Sequence, residues 1–66
     1  MTYKEAVKKL RLKMLMTQEE FVKLLDFSFV YLNRWETGKY VPTIKAKRKL
    51  QAYFEKYNIT IDEAWH

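Results

Sequence analysis

The sequence predicts an all-α fold, a compact bundle of five short helices. One glycine and one proline among 66 residues leave little material for the turns of a strand-rich fold. Apolar residues recur at spacings of three and four along most of the chain, which is the helical period. Three Thr-x-x-Glu capping-box patterns stand before apolar runs, and their agreement is a stronger indication than any one of them.

The first two helices each follow a capping box. The box opened by Thr2 precedes an amphipathic pattern that predicts a helix over residues 3–14. The box opened by Thr17 precedes a dense group of apolar residues and predicts a second helix over about residues 18–25. A tight turn is expected directly after it, at Asp26 and its neighbour.

The third helix is predicted over about residues 29–36, where Ser28 is available as the N-cap. Its apolar residues Leu32 and Trp35 are expected to face the core. Gly38 is the only glycine and comes just after this helix, at the position where a left-handed residue commonly ends a helix.

The last two helices follow the proline. Pro42 disfavours helix at the residue before it, so the fourth helix is expected to begin after Thr43, its N-cap, and to cover about residues 44–57. Thr60 opens the third capping box and starts a fifth, short helix. Trp65 in that helix is expected to pack on the core, on the tail or in a dimer.

Length and composition limit the class of protein. A chain of this length is expected to form a single domain over residues 1–66, and the lack of cysteine excludes disulfides and thiolate metal sites. The net charge of +5 and the pI near 9.6 favour an acidic partner. No apolar run approaches the roughly 18 residues of a membrane span, and the N-terminus does not resemble a signal peptide, so we expect a cytoplasmic protein.

The basic residues are concentrated in two blocks. Residues 1–13 contain five lysines or arginines against one acid, and residues 39–49 contain five against none. Each block forms either a solvated helix face or a grip on phosphates beside a central reading element, and charge alone does not decide between them. The same alternatives hold for the individual side chains of the second block, Lys45, Lys47, Arg48 and Lys49.

The second and third predicted helices have the spacing of a helix-turn-helix motif. Each is about eight residues long, and a turn of about three residues joins them. In such a motif the first helix rests against the DNA backbone. The turn then holds the second helix at a steep angle, so that its N-terminal side chains enter the major groove.

The chain also resembles a known family, the Cro/phage-repressor (XRE-type) helix-turn-helix family, over roughly residues 5–65. The residues that carry the resemblance are Arg11, Thr17-Gln18-Glu19-Glu20-Phe21, Leu25-Asp26-Phe27-Ser28, Leu32-Asn33-Arg34-Trp35-Glu36, Thr37-Gly38-Lys39 and Pro42. The resemblance implies a lambda-repressor-like domain of five helices that binds double-stranded DNA. It also implies a transcriptional regulator, usually a repressor, that binds a palindromic operator as a homodimer.

The resemblance assigns roles to individual residues. Gln18 would contact a phosphate at the start of the second helix, and Arg11 and Glu36 would form a buried ion pair that ties the first helix to the third. The surface that meets DNA would consist of Ser28, Phe29, Val30, Asn33 and Arg34. The loop that touches the DNA backbone would contribute Thr37, Lys39 and Tyr40.

The sequence departs from the family pattern in three places. Val22 stands where alanine is usual, which predicts a slightly wider spacing of the second and third helices. Asp26 replaces the usual turn glycine, although aspartate tolerates the left-handed conformation better than most residues. The third departure is an apolar run, Phe29-Val30-Tyr31, on the reading helix.

The apolar run leaves the reading of DNA to few polar groups. Phe29 and Val30 can press on thymine methyl groups, and Tyr31 can bond a phosphate, but none of them makes a bidentate base contact. Asn33 and Arg34 are then the only strong polar readers. The alternative is a protein-interaction module of the same fold, antitoxin-like or anti-repressor-like, which uses the apolar run as its anchor.

Catalysis and cofactor binding have little support in the sequence. The chain has no cysteine, and its one histidine is the last residue, His66. The acidic pairs are adjacent along the chain, so their side chains diverge and serve helix N-termini instead. A glycine-rich phosphate loop and a cluster of metal ligands are both missing, so we expect no enzyme, no cofactor and no metal.

Overall fold

The computed structural model describes residues 2–61 and is built from α-helices, with no strand in that range. The helices are α1 (Tyr3–Lys13), α2 (Gln18–Leu25), α3 (Phe29–Glu36) and α4 (Ile44–Lys56). Each helix agrees with its predicted bounds to within a residue. Four helices are therefore present in residues 2–61, not five, and the fifth predicted helix, with Trp65, follows Thr60 and lies outside the described residues.

The core lies where α1, α3 and α4 converge. α1 packs against both α3 and α4, and α2 packs against α3. The largest side chains that are almost completely buried come from all four helices: Val7, Leu10, Phe21, Leu32, Leu50 and Phe54. Trp35 is also buried, as predicted, and the ring of Phe27 meets it edge-on with centroids 5.1 Å apart. The half-buried Phe27 thereby ties the turn between α2 and α3 to the core.

Threonine side chains begin three of the four helices. At α2 the capping box is complete: Thr17 Oγ1 accepts from the Glu20 backbone N–H at 3.2 Å, and the Glu20 carboxylate accepts from the Thr17 N–H at 2.9 Å. These bonds lower the pKa of Glu20. At α1 and α4 only the threonine side of the cap is present, with Thr2 and Thr43 as acceptors.

The prediction that Ser28 caps α3 through its side chain is wrong. Ser28 occupies the N-cap position with extended backbone angles, but its hydroxyl makes no capping hydrogen bond. The hydroxyl is exposed at the front of α3. It is therefore available to a ligand at a helix N-terminus, where backbone N–H groups point outward.

Just after each described helix, the chain contains one residue with left-handed backbone angles. These residues are Leu15 (φ 55°), Asp26 (φ 58°), Gly38 (φ 80°) and Asn58 (φ 57°). The residue that follows each of them donates its backbone N–H to the carbonyl five residues earlier, for example Lys39 to Arg34 at 3.1 Å. Gly38 is thus the helix terminator that its position predicted. Asp26 adopts the conformation of the glycine it replaces.

Leu15 is the most costly of these terminators. Its side chain is 90% exposed and buries little area to offset the left-handed backbone. We expect Leu15→Gly to raise the free energy of unfolding by about 1 kcal/mol, measured as a higher urea midpoint.

The control for this change is Leu12→Gly, at a leucine that is also exposed but has helical backbone angles inside α1. That change should lower the free energy of unfolding by about 1 kcal/mol, because glycine is a poor helix former. A shift of the same sign in both variants would contradict the assignment of strain to Leu15.

Candidate nucleic-acid interface

One side chain of α4 stabilises the turn of the helix-turn-helix that α2 and α3 form. Lys49 on α4 donates from Nζ to the Leu25 backbone oxygen at 3.1 Å, at the last carbonyl of α2. The same ammonium lies 5.5 Å from the ring centroid of Phe27. A cation at a helix C-terminus is favourable, because it satisfies a free carbonyl and complements the helix dipole. Lys49 therefore fixes the turn that sets the direction of α3.

An ion pair joins α1 to the end of α3. Arg11 Nε lies 2.9 Å from one Glu36 oxygen, and its second terminal nitrogen lies 3.0 Å from the other. Arg11 also donates to the Met16 carbonyl at 3.1 Å, and Gln18 Nε2 donates to Glu36 at 3.3 Å. The side chains of the pair are only 13% and 7% exposed. The expected buried ion pair is thus present, and it forms a bidentate bond shared by α1, α2 and α3.

Removing one partner should leave the other charge buried and unpaired. We expect Arg11→Met to lower the free energy of unfolding by about 3–5 kcal/mol, measured by urea denaturation. Lys9→Met, on the exposed side of the same helix, is the control and should change it by less than about 0.5 kcal/mol. The double change of Arg11 and Glu36 to Met should recover most of the loss. Equal effects of Arg11→Met and Lys9→Met would refute this role.

The outer face of α3 is exposed along its whole length. Leu32 and Trp35 are buried, so the side opposite to them is the one available to a partner. At 100° per residue, Val30 is centred on that opposite side, and Arg34 and Asn33 flank it. Val30 is 54% exposed, and Phe29 and Tyr31 beside it are 47% and 55% exposed. Asn33 lies on the same exposed surface.

The end of this face adjoins the loop between α3 and α4. The Arg34 guanidinium carbon lies 5.2 Å from the centroid of the Tyr40 ring. This contact is a cation–π interaction that limits the directions in which the guanidinium points. An open groove of about 550 Å³ runs beside it. The exposed side chains in its wall include Ser28, Tyr31, Tyr40, Val41 and Lys45.

Two other predicted site residues, Gln18 and Thr37, are already engaged in hydrogen bonds within the protein. The amide nitrogen of Gln18, the residue expected to contact a phosphate, donates to Glu36. The Thr37 hydroxyl donates to the Arg34 carbonyl at 3.2 Å. Lys39 is exposed beside them. At the start of α2, the backbone N–H groups of Thr17 and Glu20 are likewise engaged, in the capping box.

The basic block of α4 divides into two kinds of side chain. Lys45 and Arg48 are exposed, so both of the alternatives drawn from the sequence stay open for them. A solvated face is wrong for Lys47, which is buried, while Lys49 is only partly exposed. Lys47 is 5% exposed, with its ammonium 4.9 Å from the Tyr3 ring centroid, and Lys49 caps α2. Residue spacing alone could not reveal these contacts, because Tyr3 and Leu25 are distant in the sequence.

Two functional features escaped the sequence reasoning. Tyr40 was predicted only as a backbone contact, and its place beneath Arg34 depends on the path of the α3–α4 loop. Lys4 was not singled out, yet its stem passes so close to Gly38 that a Cβ there would lie 3.1 Å from Lys4 Cδ. No local pattern indicates this approach, because Lys4 and Gly38 are distant in the sequence.

The comparisons with known proteins agree with this geometry. A helix-turn-helix family model, that of the Cro/lambda-repressor (XRE) type, matches residues 7–64. The chain belongs to this family, whose members are DNA-binding regulators and typically not enzymes. No curated protein and no solved structure matches the chain. None of the four helices within residues 2–61 is long and apolar enough to cross a membrane.

Proposed function

We propose that the protein is a sequence-specific, double-stranded DNA-binding regulator of transcription of the phage-repressor type, which inserts the front of α3 into the major groove. The observation that carries the proposal is the exposure of this helix: Phe29, Val30 and Tyr31 are each about half exposed at its first turn. A B-DNA major groove about 12 Å wide admits one helix, and the N-terminal residues of the recognition helix reach the bases.

The distribution of charge supports the same function. From Phe29 to Arg34, the front of α3 carries no acidic residue. Lys39 in the following loop is exposed, and Lys45 at the start of α4 is exposed in the wall of the groove that Tyr40 also lines. Cations beside a groove-binding helix match the phosphates that flank the groove, and such contacts position the helix without reading sequence.

The proposal includes a homodimer, repression and a cytoplasmic location. Family members usually bind palindromic operators in pairs, so two copies of α3 would enter successive major grooves about one helical turn, or 34–36 Å, apart. A protein held in this way over a promoter blocks transcription by occupancy. In this proposal the repressor requires no cofactor, and it acts in the cytoplasm on the DNA that it binds.

Binding of DNA should depend steeply on salt. About four to six phosphate contacts per protomer predict a slope of about −4 to −5 per protomer for log K against log salt concentration. Fluorescence anisotropy with a duplex selected from a random pool, between about 50 and 200 mM salt, measures the slope. A slope near zero would contradict phosphate binding.

The polar reader Arg34 should affect sequence preference. We expect Arg34→Ala to reduce the discrimination between the selected duplex and a scrambled one by about 1–3 kcal/mol, because a guanidinium reads guanine edges. Lys39→Ala is the control and should weaken binding to both duplexes alike. An equal loss on both duplexes for Arg34→Ala would mean that Arg34 contacts only phosphate.

The exposed apolar run favours one second candidate, a protein-interaction module of the same fold that uses Phe29, Val30 and Tyr31 as its anchor. Exposed apolar groups on a small protein mark sites of association. Gel filtration with and without duplex DNA separates the two functions. A tight complex with a protein, together with no binding to any selected duplex, would favour the second candidate.

A further inference from the structure

We propose that the protein selects its DNA site through the 5-methyl groups of thymine, with Val30 at the centre of the contact and Phe29 beside it. This inference rests on the proposed function and specifies the class of operator: thymine at the base positions that face the first turn of α3. Thymine is the only base that presents an apolar group in the major groove.

The position of Val30 on α3 is the first argument. Val30 is separated from the buried Leu32 and Trp35 by about 140–160° around the helix axis. It therefore points almost directly away from the core, and 54% of its surface is exposed. As the second residue of α3, it also lies at the end that reaches base edges. A helix docked by this end places Val30 nearer to the bases than any buried residue.

Phe29 extends the apolar contact towards α2. It lines a shallow hollow of about 220 Å³, together with Val22 and the stems of Glu19 and Lys23. Val22, which is 8% exposed and stands where alanine is usual, supplies the apolar part of the wall of this hollow beside Phe29.

The chemistry of the alternatives is the second argument. A guanine or cytosine opposite Val30 would have its polar edge covered by carbon, without a hydrogen bond to replace the lost water. A thymine methyl in the same place would be buried against Val30, and the removal of this apolar surface from water is favourable. Arg34, the nearest long polar reader on this face, is held over Tyr40 at the side of the loop. Discrimination at the base positions opposite Val30 and Phe29 therefore comes from methyl groups, in addition to any reading by Asn33 and Arg34 at the positions they face.

The test replaces thymine by deoxyuridine, which lacks only the methyl group, at one position of a selected duplex at a time. Each methyl in contact with Val30 or Phe29 should contribute about fourfold in affinity, equivalent to about 0.8 kcal/mol for one buried methyl-sized group. Fluorescence anisotropy at fixed salt measures the ratio of the two dissociation constants. Uracil outside the footprint serves as the control for changes in duplex stability.

Protein variants identify the side chain that makes the contact. Val30→Ala should bring the thymine-to-uracil ratio at its position close to one, while Tyr31→Ala, an equally exposed neighbour on the loop side, should leave that ratio unchanged. Circular dichroism melting checks that both variants fold. A selected pool without thymine opposite α3, or equal affinity for thymine and uracil at every position, would overturn the inference while leaving DNA binding intact. Failure to bind any duplex would overturn both.

Discussion

The arrangement of the helix-turn-helix depends on the bidentate bond between Arg11 and Glu36. It connects the last turn of α1 to the last residue of α3, and it draws in the Met16 carbonyl and the Gln18 amide. The groups are nearly buried, so their desolvation is acceptable only because each finds several partners. In the described part of the chain, no buried side-chain nitrogen or oxygen lacks a hydrogen-bond partner. Because these bonds fix α3 at its C-terminal end, its N-terminal end can remain exposed to solvent.

The two ends of α3 have different physical tasks. Its C-terminal half is fixed by Trp35 in the core and by Glu36 in the ion pair, and it ends at Gly38. Its N-terminal half has neither a side-chain cap nor a buried residue before Leu32. A helix anchored at one end presents its other end with little loss of conformational entropy on association. The exposed apolar residues are thus held in place by contacts behind them.

Local sequence rules predicted the helices well and the side-chain contacts only in part. The bounds of α1 to α4, the left-handed Asp26 and the terminator Gly38 follow from capping and backbone preferences, which act within a few residues. The roles of Lys47 and Lys49 do not, because they depend on which distant ring or carbonyl the fold brings near. Ser28 shows that local rules can also predict a bond that does not form: it is a serine at the N-cap position, but its side chain makes no capping hydrogen bond.

The ion pair itself was expected from the resemblance to a family and not from spacing. Arg11 and Glu36 are 25 residues apart, and nothing local in the sequence indicates that they meet. The cation–π contact of Arg34 and Tyr40 was not predicted at all, because it depends on the path of the loop between them. The candidate surface of α3 was foreseeable by a simpler route, because its buried residues Leu32 and Trp35 follow helical periodicity and leave the opposite side to solvent.

The lysines at helix ends change the meaning of the overall charge. Lys49 holds the last carbonyl of α2, and Lys13 donates to the Tyr57 carbonyl at the end of α4 at 3.2 Å. Each of these ammonium groups donates a hydrogen bond within the fold, so the count of 13 lysines and arginines overstates the number of side chains whose donors are all free to meet an anionic polymer. Acetylation of Lys49 would therefore loosen the elbow behind α3 as well as remove a positive charge.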